Sequence, residues 1–142
     1  MKDSIYNHKC IVFCEDHYNP LGICRSLGEK GIDPIVVMTS AEAPMISHCK
    51  YVKELYYVEN EEHGLNFIIS HYGDEPYKPF IFTSSDDTTR MLDKHYEELK
   101  DKFYFYNGSG QGVITKFQNK KVIAETAVAC GCNIPRTEVL NK

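Results

Sequence analysis

The sequence has no apolar run near the roughly 20 residues needed to cross a bilayer. Its start, Met1-Lys2-Asp3-Ser4, lacks the apolar core of a secretion signal. A cytoplasmic protein with no membrane partner is expected. A basic block is also missing. The 16 basic and 20 acidic side chains give a formal charge of −4, and no stretch of them can track a phosphate backbone, which argues against nucleic acid as a partner. The first apolar run is not followed by G-x-G-x-x-G. Its place is taken by Glu15-Asp16-His17-Tyr18-Asn19-Pro20, too bulky and too acidic for a dinucleotide pyrophosphate, so NAD and FAD are disfavoured. Gly108-x-Gly110-x-Gly112 lacks the Walker lysine at P-loop spacing. The six cysteines contain no second Cys or His pair at zinc spacing around Cys130-x-Cys132. Most sit in apolar runs, as reduced buried thiols do, so neither a metal site nor a disulfide is expected.

What is present is globular. A chain of 142 residues fits one domain and can bury about two-thirds of its unfolded surface. Hydrophobic residues at 42% and charged residues at 25% are close to the soluble average. The run His8 to Cys14 reads as a strand covered on both faces. Pro20 can open a helix that buries Leu21, Cys24 and Leu27, with Ile23 beside them, and that Gly31 ends. Asp33 to Met38 reads as a second strand. Residues 39–48 read as a loop, and Lys53 to Val58 as a third strand. Glu61 to Tyr72 fits a helix burying Leu65, Ile68, Ile69 and Tyr72, weakened somewhat by Gly64. Pro79 to Thr83 and Phe103 to Tyr106 complete the strands. Between them lies a helix with the stripe Met91, Leu92, His95, Tyr96 and Leu99. Residues 107–112 read as a flexible joint.

Strands alternating with helices predict an α/β fold, a Rossmann-like parallel five-stranded sheet with helices on both faces and the order 3-2-1-4-5. In that order the chain reverses between the first and fourth strands, and ligands of open α/β sheets bind in the crevice at the carboxyl ends there. The loops so placed are Glu15 to Asn19 and Ser84 to Asp87. Asp16, His17, Ser85, Asp86 and Asp87 are therefore candidate substrate-binding residues. The plainer reading of Ser84-Ser85-Asp86-Asp87 is a helix cap with acids at the positive end of the dipole. A lone loop histidine such as His17 is also commonly just exposed. His48, His63, His71 and His95 have no partners at metal or catalytic spacing, and Cys49 beside His48 does not make a dyad.

Near the end of the chain Val122, Ile123, Thr126, Ala127 and Cys130 recur at steps of three and four, which predicts a helix with one apolar side. Asn119 is its expected N-cap and Gly131 its stop, with an extended segment through Pro135, Thr137 and Val139 beyond. A lysine at such a helix start can meet a phosphate, though it is more often a solvated charge.

Asn119-Lys120, the helix, Gly131 and Ile134-Pro135-Arg136-Thr137 together resemble the passage from the N-terminal Rossmann-like domain into the grasping domain of ATP-grasp enzymes. The resemblance covers nearly the whole chain. It implies a pre-ATP-grasp domain over residues 1–107, followed over 108–142 by the linker and first helix and strand of an ATP-grasp domain. Within that superfamily the likeness is to carbamoyl-phosphate-synthase-like and carboxylate–amine ligases, which activate a carboxylate with ATP as an acyl phosphate for attack by an amine. It implies that Lys120 contacts ATP phosphate and that Asp86 and Asp87 orient an amine or hydroxyl. ATP and Mg2+ are the cofactors implied for the full-length protein, and small-molecule carboxylates and amines its partners. A homodimer is compatible with the reading. Family members go on for 150 or more residues with a second phosphate-clamping lysine and the magnesium ligands. The expectation is therefore an N-terminal fragment, inactive and without bound cofactor by itself. The competing expectations are a stand-alone, non-catalytic module that binds a small molecule or nucleotide sugar, and a protein-interaction domain that keeps the fold.

Overall fold

The computed structural model describes residues 7–39 and 45–135. Five strands form one parallel sheet: β1 (Cys10–Cys14), β2 (Pro34–Met38), β3 (Glu54–Tyr57), β4 (Phe80–Thr83) and β5 (Tyr104–Phe105). Their order is 3-2-1-4-5, with Phe13 of β1 in register with Val37 of β2 on one side and Thr83 of β4 on the other. The central pair is apolar at every position because both of its faces are covered: all ten residues of β1 and β2 are buried.

Side chains alternate across the strands and sort into two cores. Ile11, Phe13, Ile35, Val37 and Ile81 pack with Leu65, Ile68 and Tyr72 of α2 (Glu61–Tyr72), Leu92 of α3 (Asp86–Lys94), Leu99 of α4 (Tyr96–Leu99), and Phe103. On the opposite face Val12, Cys14, Val36 and Met38 pack with Cys24 of α1 (Tyr18–Gly28) and with Ile46 and Cys49, in and just after a short 3-10 turn, Met45–His48. Each fully buried aliphatic or aromatic side chain contributes about 1.5–3 kcal/mol to this arrangement.

Several expectations are corrected. α1 starts earlier than Pro20, at Tyr18, with His17 as its N-cap. Pro20 then falls in the first turn, where a missing N–H costs nothing because those donors have no helical partner. The helix stops at Gly28, and Gly31 (φ 75°) turns the chain toward β2. Gly64 does more than weaken α2. A Cβ there would lie 2.5 Å from the Phe13 ring, so the glycine is what lets α2 settle onto β1. The helix anticipated across Met91 to Leu99 is two helices, α3 and α4, divided at His95 (φ −104°, ψ 21°).

Residues 107–112 form a hydrogen-bonded turn. Asn107 Oδ1 accepts from Ser109 N–H, and Ser109 and Gly112 take positive φ. A further helix, α5 (Val113–Gln118), follows, and α6 (Lys120–Ala129) comes directly after it. α6 has the expected Asn119 cap and Gly131 stop (φ 75°). Its anticipated apolar side is not buried: Val122 and Ala127 are half-buried, while Ile123, Thr126 and Cys130 are exposed. Cys130 and Cys132 are exposed too, unlike the other four cysteines, and all six thiols are free. Of the expected final strand only Pro135 is described; Thr137 and Val139 lie outside the described residues.

Candidate functional site

The sheet order puts the reversal between β1 and β4, and an open crevice of about 900 Å3 lies there between α1 and the β4–α3 turn. Asn19, Gly22, Ser26 and the stems of Ile23 and Leu27 form the α1 wall. Phe82, Thr83, Ser84, Ser85, Asp86 and Thr89 form the other. Small residues on α1 keep the two walls apart. Among the described residues Asp86 is the one ionisable residue lining the crevice, and no basic residue lines it.

Local hydrogen bonding builds the β4–α3 turn. Ser85 is the N-cap of α3: its Oγ accepts from Thr88 N–H at 3.2 Å, and its carbonyl accepts from the Thr88 and Thr89 hydroxyls at 3.2 and 2.8 Å. Thr83 and Thr89 share a hydroxyl–hydroxyl bond of 2.7 Å that fixes the last residue of β4 against the helix. The capping reading of Ser85 is thus satisfied, and Ser85 lines the crevice as well. Asp87 turns to an ion pair with Arg90 one helical turn on. Asp16 is exposed and does not line the crevice. Nor does His17, whose Nδ1 accepts from Asn19 N–H at 3.4 Å and whose ring lies 3.9 Å from that of Tyr18. Of the five residues proposed for substrate from sequence, the structure brings Ser85 and Asp86 together in the crevice.

Three buried side-chain atoms lack a hydrogen-bond partner among the described residues: Glu15 Oε1, Ser84 Oγ and Gln118 Oε1. Glu15 follows β1, Ser84 follows β4, and Gln118 ends α5, where its Nε2 donates to the Asp86 carbonyl at 3.3 Å. All three belong to the carboxyl edge of the sheet. An unpaired buried polar atom costs about 1–3 kcal/mol, so this edge is where the fold retains unused hydrogen-bonding capacity.

The C-terminal helices are tied to the same edge by a residue that sequence reasoning missed. Asp93, 2% exposed, accepts from the N–H groups of Ile114 (3.2 Å) and Thr115 (2.8 Å). These are two of the orphan donors at the start of α5, and Gly112 N–H reaches the Asp93 carbonyl at 3.4 Å. In sequence Asp93 is just a polar residue on a helix. Its one signal is its position beside Leu92 within the apolar stripe.

α6 begins one residue after the α5 C-terminus. Asn119 Oδ1 accepts from Lys121 N–H (2.9 Å) and Val122 N–H (3.4 Å). The cap thus already occupies those two donors. Lys120 is exposed, has no ion-pair partner among the described residues, and does not line the crevice.

No cluster of three or more His, Cys, Asp or Glu able to hold a metal occurs among the described residues. No described helix is long and apolar enough to cross a membrane. Burial pushes the Cys14 and Cys24 thiols up to about 12, Cys24 also feeling Cys49, so these thiols are unreactive packing groups. Comparison of the chain with protein-family models, with curated proteins and with solved structures gives no match.

Proposed function

We propose that the chain is the substrate-side, pre-ATP-grasp domain of an ATP-dependent carboxylate–amine ligase, together with the first helices of its grasping domain. The observation that carries this reading is the tie between α5 and α3. Asp93 and the Gln118–Asp86 bond hold the lysine-bearing helix α6 next to the acidic turn of the switch-point crevice. α6 itself buries none of its side chains. An amphipathic helix fixed at one end and uncovered along its length suits one jaw of a clamp.

When bound, ATP would supply the phosphoryl group that makes the carboxylate an acyl phosphate. In this reading the Lys120 ammonium holds phosphate, and the Ser85–Asp86 turn orients the attacking amine in the crevice. The residues present do not fit magnesium. Asp87, beside Asp86, is engaged with Arg90, and no third ligand joins them among the described residues. No step is assigned to a metal on this chain, and catalysis would require groups from beyond the described residues.

A stand-alone binding module is the second reading, supported by the crevice being walled entirely by this chain's own residues. ADP release decides between them, assayed for the full reading frame with pairs of small carboxylic acids and amines. Release that needs both members of a pair supports the ligase. Its absence from every pair, or a reading frame with no further lysine and acidic metal motif, overturns it.

A further inference from the structure

The crevice does not end at Phe82. Phe82 and Thr83 also border a second hollow of about 390 Å3, lined by Phe80, Tyr104 and Tyr106. Alternation along the strands explains why. Ile81 and Phe105 face the core under α2, so Phe80, Phe82, Tyr104 and Tyr106 project to α1's side of the sheet. α1 covers β1 and β2 there, and among the described residues no helix covers β4 and β5 on that side. Phe80 and Tyr104 stack at 4.9 Å between centroids, and Phe80 and Phe82 at 6.4 Å; His8 lies against Phe80 and Tyr104 and Lys78 Nζ over Tyr104, which leaves Phe82 and Tyr106 as the open end of the row. Tyr106 at the end of the row is 77% exposed.

Two features therefore adjoin at the carboxyl end of β4. One is a shelf of aromatic faces. The other is a polar slot whose single charge among the described residues is the exposed Asp86. A shelf of ring faces favours a flat ring or a cation, and the Asp86 carboxylate favours an ammonium over an anion in the slot, partly offset by the positive end of the α3 dipole. Phosphate and carboxylate are thus poorer occupants of the slot than an ammonium.

We infer that the crevice binds an amine carrying a planar ring, with the ring on Phe82 and Tyr106 and the ammonium at Asp86. This rests on the ligase reading in naming that amine as the acceptor, but the binding itself needs no ATP. The carboxylate and phosphate partners then have to approach from the α6 side, where Lys120 supplies the positive charge.

The test is ligand-observed NMR and calorimetric titration of the 142-residue chain with 2-phenylethylamine, against n-butylamine and 2-phenylethanol as probes lacking the ring or the charge. A nine-heavy-atom ligand is expected to bind in the millimolar range. Saturation transfer is expected to be strongest at its ring protons. Each truncated probe is expected to bind about tenfold more weakly. Tyr106→Ala, at an exposed position, and Asp86→Asn are each expected to weaken 2-phenylethylamine about five- to tenfold, while Asp86→Asn leaves 2-phenylethanol unchanged. Equal binding of all three probes, or binding indifferent to both substitutions, overturns the inference. So does the absence of binding up to 50 mM, roughly tenfold above the expected millimolar range. ADP release that requires a non-aromatic amine would overturn this inference and leave the ligase standing. Ring-amine binding without any ADP release would do the reverse.

Discussion

Asp93 joins the C-terminal helices to the sheet domain, and replacing it separates the two kinds of stability in the molecule. Its carboxylate accepts two N–H groups at the start of α5 from a position 2% exposed. In Asp93→Ala both charge-assisted bonds are lost. Each bond is worth about 1.5–3 kcal/mol, but the freed N–H groups are half-buried and can reach water once α5 lifts. A net loss of about 2–3 kcal/mol is expected, confined to α5 and α6, because neither helix buries a residue fully. Converted at 1.36 kcal/mol per decade, that is about a 30- to 150-fold faster amide exchange across residues 113–130. Amides of β1, β2 and α2 should keep their protection, and the melting temperature should fall by only a few degrees. Asp93→Asn, which keeps one acceptor oxygen, should fall between. Unchanged exchange in α5 would show that the carboxylate does not hold it. Equal acceleration in α5 and in the sheet would show that the C-terminal helices are not a separable unit.

Gly64→Ala should destabilise by about 1–3 kcal/mol in a denaturant titration, despite alanine's better helix propensity, since the new Cβ meets the Phe13 ring at 2.5 Å and that ring is fully buried. Stability should fall as pH rises above 9. Cys14 and Cys24 have folded pKa values pushed up to about 12 from 9.0, so the unfolded chain loses these protons first; denaturant midpoints that stay flat from pH 8.5 to 10.5 would contradict the buried thiols. On the ligase reading, Lys120→Ala should raise the ATP concentration needed for half-maximal ADP release by about 10- to 150-fold, the equivalent of one charge-assisted bond of about 1.5–3 kcal/mol; an unchanged requirement removes Lys120 from the site.

The sheet was legible because its information is local. β1 and β2 are continuous apolar runs, α2 has its period, and the alternation of element types dictates a parallel order. The crevice followed from that order alone. What stayed hidden depends on tertiary partners. Nothing in the pattern around Asp93 says that its carboxylate caps a helix twenty residues later, and without that contact α5 looks like part of a linker. Gly64 reads as a weak point until Phe13 is placed beside it. The apolar side of α6 is real in sequence, but periodicity reports that a helix has a face and not whether anything covers it. His17 shows the same limit at the site: a loop histidine beside the switch point is close enough to suggest a ligand contact, yet its ring nitrogen is used to cap α1.

Charge gives the final step of the ligase reading. A carboxylate–amine ligase has to hold a polyanion and an ammonium within reach of one another without letting either occupy the other's place. Here the one charged residue of the crevice among the described residues is acidic, while Lys120 stands outside it on α6. At about 4 Å a misplaced phosphate charge beside the exposed Asp86 would be repelled by about 1 kcal/mol in water and about 4 kcal/mol at a near-surface dielectric of 20, less the pull of the α3 N-terminus. The Gln118–Asp86 bond keeps the two regions adjacent, and the Asn119 cap takes the Lys121 and Val122 donors. Separation by sign, at a distance fixed by α5, would then do the sorting before any chemistry begins. The reading therefore requires that reversing the sign at the crevice, Asp86→Lys, admit phosphate there. Inorganic phosphate binding gained in that variant would support the sorting, and phosphate binding already present in the unaltered crevice would refute it.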